Sequence, residues 1–179
     1  MVYVVLADGF EEIEAIEPID IMRRAGIEVT TASVMETASV TGAHGIPVKA
    51  DITVRDVDPD NMELLFLPGG AGHTILDASN EVHALINHAV TTRKYIAAIC
   101  AAPSILGKKQ LLSGKKATCF PGFEKYCYGA EITGEKVTRD GMIITARGAG
   151  AAAELGFALV GILKDDKTAG ELRLSMQYE

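Results

Sequence analysis

A chain of 179 residues with 48% hydrophobic and 23% charged residues has the make-up of one globular domain, long enough to bury a core without disulfide or metal staples. Its net charge of −7 argues against a nucleic-acid or anionic-membrane partner, since phosphate binding needs a basic footprint. Three cysteines at unpatterned spacing and no apolar run near the ~20 residues of a membrane span point to a cytoplasmic protein with reduced thiols.

Val2 to Ala7 reads as a buried strand, Ile13 to Ala25 as a helix closed by Gly26, and Glu28 to Ser33 as a second strand, a βαβ start. Extended pieces over Val40 to Val48 and Ile52 to Val57 suggest a hairpin excursion. Leu64 to Leu67 is another buried strand, ending in "PGG". A helix follows over Val82 to Thr92, a strand over Tyr95 to Ile99 and a helix over Ala101 to Lys108. The last third carries short strands at Lys116 to Cys119, Lys136 to Arg139 and Met142 to Ala146, then a helix over Ala152 to Leu163 and a short C-terminal one.

Strands that alternate with helices, several of them continuous apolar runs, predict an α/β domain over residues 1–179 with a mostly parallel sheet covered on both faces. Ligands of such sheets bind beyond the carboxyl ends of the strands. Three loops should gather there: "ADGFEEIE", "PGGAGH" and "ICAAP".

The first loop opposes a nucleotide, because Asp8, Glu11, Glu12 and Glu14 place negative charge where a pyrophosphate would sit, and no phosphate-binding glycine motif is present. No cofactor is expected. No metal is expected either: His83 and His88 are five apart and no C-x-x-C occurs, so a surface helix accounts for both histidines. The basic group Lys108, Lys109, Lys115, Lys116 lacks interleaved aromatics and reads as a solvated loop.

A thiol fits the third loop better. Ala98 and Ala102, two residues either side of Cys100, are small, as the strand-to-helix turn of a nucleophile elbow requires. The helix N-terminus beyond it favours thiolate over thiol. Backbone N–H groups of Ala101 and Gly70 would then form an oxyanion hole. The alternative is a small buried residue that happens to be cysteine. If the first helix is continuous through Pro18, Glu14 shares a helical line with Pro18, Ile21 and Ala25 and its carboxyl points at the core edge; if Pro18 instead starts the helix, Glu14 has no special role. An ionised carboxyl there would repel a thiolate, whereas a protonated one would donate to it. Glu11, Glu12 and Glu17 are assigned to the helix dipole and solvent.

Taken together, "LADGFEEIEAIEPIDIMRRAGIEVTTAS", "LPGG", "AAICAAP" and "ITARGAG", spread over nearly the whole chain, resemble the ThiJ/PfpI family in its DJ-1 branch rather than its protease branch. The resemblance implies a flavodoxin-like three-layer α/β/α sandwich, a homodimer, a reactive cysteine at Cys100 and a protonated glutamate partner at Glu14. Family members are described as redox-sensing stress proteins, chaperones, glyoxalases and protein deglycases, and some bacterial ones carry an older label, 4-methyl-5-(β-hydroxyethyl)thiazole monophosphate biosynthesis.

Two departures from the family pattern matter. The protease branch has a histidine directly after the nucleophile, where this chain has Ala101. Glyoxalase-active relatives often have a histidine before the proline of the stretch reading "TCFPGF", where this chain has Phe120, and a phenyl ring shuttles no proton. His73, after the glycine pair, and His44, in the hairpin region, are candidate substitutes, each weighed against a loop histidine with no task. Two functions therefore stand side by side. One is an enzyme acting on small reactive aldehydes or their adducts through Cys100, Glu14, Gly70 and Ala101. The other is a sensor or chaperone-like dimer whose Cys100 is oxidised to sulfinate.

Overall fold

The computed structural model describes residues 1–178. In chain order its strands and helices are β1 (Val2–Leu6), α1 (Glu12–Arg24), β2 (Val29–Ser33), β3 (Ser39–Thr41), β4 (Pro47–Lys49), β5 (Ile52–Thr53), β6 (Leu64–Leu67), α2 (His73–Ala78) and α3 (Asn80–Thr91). There follow β7 (Tyr95–Ile99), α4 (Pro103–Lys108), β8 (Lys116–Ala117), β9 (Glu131–Ile132), β10 (Val137–Asp140), β11 (Ile143–Ala146), α5 (Ala152–Leu163) and α6 (Asp166–Ser175).

Seven strands form the central sheet in the order β10-β11-β7-β6-β1-β2-β5, every pair parallel except β10 with β11. Because side chains alternate along a strand, β1 sends Val2, Val4 and Leu6 to one face and Tyr3 and Val5 to the other. The first face is covered by α1 and α5, through Ile19, Ile21 and Met22 against Leu155, Phe157 and Leu159. The opposite face is covered by α2, α3 and α4, through Leu76, Val82, Ile86, Ile105 and Leu106. The result is the expected three-layer α/β/α sandwich.

Helix α1 is continuous through Pro18, whose missing N–H leaves the Glu14 carbonyl without its helical partner. The extended piece expected over Ile52 to Val57 is only two residues of strand. The Asp56 carboxylate accepts from the Thr53 N–H at 3.3 Å and its hydroxyl at 2.7 Å, which turns Val54–Asp56 into a 3₁₀ helix. The hairpin is real: β3 and β4 pair antiparallel. It folds back on the first loop, with Gly9 N–H donating to Thr41 O at 2.8 Å and Ala43 N–H to Phe10 O at 2.7 Å.

Lysines 108, 115 and 116 lie near Asp77, Asp140 and Glu131, an ordinary paired surface. Among the described residues no helix is long and apolar enough to cross a membrane.

Candidate functional site

β2 lies on one side of β1 and β6 on the other, so the chain reverses its direction of travel across the sheet between β1 and β6. A crevice at the carboxyl ends of the strands is the rule at such a point. The three expected loops meet there. Phe10 bridges Gly70, and Glu11 N–H donates to Gly69 O at 3.1 Å, fastening the acidic loop to the glycine pair. Gly70 takes φ 83°, and a Cβ on it would lie 2.5 Å from both Glu11 N and Gly9 O, so glycine is required on both counts.

Cys100 follows β7 directly and has φ 64°, the left-handed region that non-glycine residues rarely occupy. It is held on both sides, its N–H donating to Ala146 O at 2.9 Å and its carbonyl accepting from Phe120 N–H at 2.8 Å. The side chain is half-buried, the turn is flanked by the fully buried Ala98 and Ala102, and the neighbouring Gly70 and Ala101 N–H groups favour the thiolate. That is the shape of a nucleophile elbow.

Glu14, in the first turn of α1, is 1% exposed and reaches the thiol from the other side. Its Oε2 is enclosed and makes no hydrogen bond of standard geometry. Burial raises the carboxyl to about 7, outweighing the Cys100 thiol and the Gly69 and Ala149 N–H groups, which favour its charged form. The Cys100 thiol is pushed up to about 12, first by burial and then by the Glu14 charge, against the pull of the Gly70 and Ala101 N–H groups. Helix α4 begins only at Pro103. The expectation that a helix N-terminus would leave Cys100 with a depressed pKa is therefore corrected: burial and a carboxylate neighbour outweigh it. The two groups behave as one acid pair, carrying a single negative charge over the interval between those values.

His73 sits at the rim. Its Nδ1 lies 2.8 Å from Gly70 O, so Nδ1 carries the proton and Nε2 is the free acceptor, and its ring packs edge-on against Phe123 at 5.3 Å. It holds Gly70 in place from behind.

His44 is more remote, and an acidic residue comes with it. Glu12 is buried rather than solvated, contrary to expectation, because His44 of the hairpin returns onto it: Oε1 accepts the His44 N–H and Oε2 meets Nδ1, both at 2.7 Å. Desolvation pushes the Glu12 carboxyl up, but these bonds win and hold it below its usual range, while they raise His44. With Glu11 they bring metal-ligand atoms within 4.8 Å of one another, yet Glu12 and His44 already satisfy each other. Glu11 itself caps α1, accepting Glu14 N–H at 2.7 Å. Glu17 accepts from the Tyr178 hydroxyl.

Phe120 stands at the mouth of the site, nearly half exposed, with its ring close to Gly148. Beyond it opens a cleft of about 380 Å³ lined by Phe120, Lys136, Arg147, Gly148 and Ala149. The "ITARGAG" stretch carries part of the family resemblance, but nothing in it alone announces that Gly148 and Ala149 border Glu14.

Residues 1–161 match the model of the DJ-1/PfpI family. The chain is 37% identical over 174 residues to Protein DJ-1 homolog B of Arabidopsis thaliana, covering 96% of this chain but 40% of that protein, so it spans about two fifths of that relative's length. It is 33% identical over 143 residues to Deglycase PfpI of Pyrococcus furiosus, covering 79% of this chain and 86% of that one. The solved structure of oxidized Toxoplasma gondii DJ-1 superposes with a TM-score of 0.94 at 33% identity, covering 99% of this chain and 97% of that one. Fold, glycine-backed crevice and matched sequence lead to one assignment: this chain belongs to the DJ-1/PfpI family.

Proposed function

We propose that the chain is a cysteine-dependent protein acting on small reactive aldehydes or their adducts, with glyoxalase- or deglycase-type chemistry. The observation that carries the reading is the enclosed Glu14 carboxyl set against the Cys100 side chain, in the space that Gly69 leaves free for both. A carboxyl held near 7 suits proton transfer at neutral pH in both directions. The Glu14 carboxylate takes the thiol proton as sulfur attacks the aldehyde carbon. The C–S bond forms as the carbonyl π bond breaks onto oxygen, the Gly70 and Ala101 N–H groups receive the oxyanion, and the Glu14 proton passes to it, leaving a neutral hemithioacetal. The name of the Pyrococcus relative, a deglycase, supports the same chemistry.

A second reading has its own support. The same N–H groups and a protonated Glu14 would also cap the oxygens of a Cys100 sulfinate, and a half-buried thiol is open to peroxide, so oxidation rather than turnover would be the event that matters. Methylglyoxal consumption and lactate release decide between them. Loss of turnover in Cys100→Ser supports the enzyme, and absence of turnover in fully reduced wild type removes it.

The partner we propose is a second copy. Ile13 and Ile16 on α1 and Ile46 on the hairpin leave large apolar side chains 52%, 40% and 55% exposed next to the site, and a homodimer would cover them. Reduced thiols at Cys100, Cys119 and Cys127 suit a cytoplasmic setting.

A further inference from the structure

The cleft beyond Phe120 borders the sulfur site and has no part in the chemistry at Cys100. Its volume is about 380 Å³, and its only charged lining residues are Lys136 and Arg147. In a chain of net charge −7, a lining with two cations and no carboxylate is a local reversal of sign.

The two cations are not equivalent. Lys136 Nζ is paired with Glu154 Oε1, which neutralises its charge within the fold. Arg147 makes no ion pair among the described residues. Its side chain makes one bond, from Nη1 to Gly134 O at 3.3 Å, while its backbone is fixed by the N–H that donates to Lys136 O at 3.0 Å. The other guanidinium N–H groups stay open to a ligand, and a guanidinium keeps its charge at any physiological pH. Beside it, the N–H groups of Gly148 and Gly150 have no acceptor among the described residues. Donors gathered round one concave space recognise the oxygens of an anion. One unpaired cation matches the single charge of a carboxylate better than the double charge of a phosphate monoester.

A single wall joins the cleft to the sulfur site. A Cβ built on Gly148 would lie 3.2 Å from Phe120 Cδ2 and 3.7 Å from Glu14 Oε1, so only a residue without a side chain stands between the ring that lines the cleft and the buried carboxyl. Phe120 is in turn tied to the elbow, its N–H donating to the Cys100 carbonyl at 2.8 Å. Phe120 and Pro121 give the cleft an apolar side, along which a short carbon chain can lie.

On the reading of Cys100 as the group that attacks an aldehyde, we propose that this cleft is a carboxylate subsite, in which Arg147 holds the anionic end of a substrate whose carbonyl end meets Cys100. The substrate class then narrows from small aldehydes in general to aldehydes that carry a carboxylate a few carbons from the carbonyl. Sulfur adds to the carbonyl carbon as the π bond breaks onto oxygen, the thiol proton reaches that oxygen by way of Glu14, and the carboxylate is bound without reacting. Arg147 is a positioning residue in this scheme.

Two charge-matched pairs of reagents test the subsite. The first avoids carbonyl chemistry: 3-bromopropanoate and 3-bromopropanamide both alkylate a thiolate with loss of bromide and differ in the anionic group alone. The acid-to-amide rate ratio at Cys100, read by peptide mass mapping and divided by the ratio for N-acetylcysteinamide, should be about ten in the wild type. It should fall to about one in Arg147→Gln and be partly retained in Arg147→Lys. Arg147 is exposed, so both variants should fold. The second pair is 4-oxobutanoate and its methyl ester, each used to shield Cys100 reversibly from iodoacetamide. The acid should protect at about ten-fold lower concentration than the ester, and Arg147→Gln should abolish the difference. A normalised ratio near one in the wild type, or a raised ratio that survives Arg147→Gln, overturns the subsite. Equal protection by acid and ester overturns its part in substrate choice. Protection by neither aldehyde, with the alkylation ratio raised in the wild type and lost in Arg147→Gln, overturns the aldehyde reading instead and leaves a carboxylate site beside Cys100.

Discussion

The Glu14 carboxyl and the Cys100 side chain meet over a single backbone atom: a Cβ built on Gly69 would stand 2.3 Å from Glu14 Oε2 and 2.5 Å from Cys100 Cβ. The space belongs to the pair, and only hydrogen leaves it free. Gly69→Ala should therefore separate carboxyl from thiol. We expect a folded protein destabilised by about 1–3 kcal/mol, as for overpacking elsewhere, with Cys100 reactivity lost out of proportion to stability. Thermal melts beside iodoacetamide labelling check this; a variant with unaltered labelling would remove Gly69 from the site.

Glu14 also ties stability to pH. Its folded pKa of about 7 lies above the ordinary 4.5, so the folded chain retains a proton that the unfolded chain gives up. The contribution is fully present below 4.5 and is lost as pH rises through 7, on the order of 3 kcal/mol in all. Glu14→Gln removes this titration. The variant should outlast wild type in urea at pH 8 and lose its advantage near pH 4.5; parallel unfolding curves for the two proteins across that range would show that Glu14 does not titrate in the fold.

Labelling of the thiols sorts the Glu14 roles further. Cys100 should be alkylated ahead of Cys119 and Cys127, because it alone is half exposed. Glu14→Gln keeps a donor for the thiolate and carries no charge, whereas Glu14→Leu offers neither. At pH 8 Cys100 in the Gln variant should react about ten-fold faster than in the Leu variant, corresponding to one pKa unit. Equal rates would reduce Glu14 to a buried helix residue.

Phe120 tests the family chemistry. Its N–H is tied to the Cys100 carbonyl, so an imidazole placed there starts from the rim of the pocket. Wild type should be a poor glyoxalase, and Phe120→His should raise turnover about 10²-fold or more, the usual worth of a positioned acid or base. His73→Ala should lower turnover by loosening Gly70, and His44→Ala should leave it unchanged. Robust wild-type turnover that survives both alanine variants would leave Glu14 as the acid–base group.

The sandwich was legible because its inner strands are uninterrupted apolar runs: Leu64–Leu67 and Tyr95–Ile99 are seen where they were expected. That the loops of Cys100, Glu14 and Gly70 would come together was legible for a local reason too, since each lies at a strand end or on a helix stripe. What escaped was non-local. Nothing near Glu12 foretells that His44 will fold back onto it. Helix α2 was missed because its six residues follow the glycine loop without an apolar stripe of their own. The expected acidity of Cys100 failed because burial and a carboxylate neighbour, both tertiary effects, outweigh the local N–H groups.

The backbone at Cys100 sets chemistry against architecture. A left-handed residue with a side chain costs roughly 1 kcal/mol or more, which glycine would be spared. Here φ is 64°, and the bonds to Ala146 and Phe120 pin it there. Selection for a sturdier fold alone would let this position drift to glycine, so a lineage released from the need for the thiol should lose it at the elbow while retaining the surrounding turn.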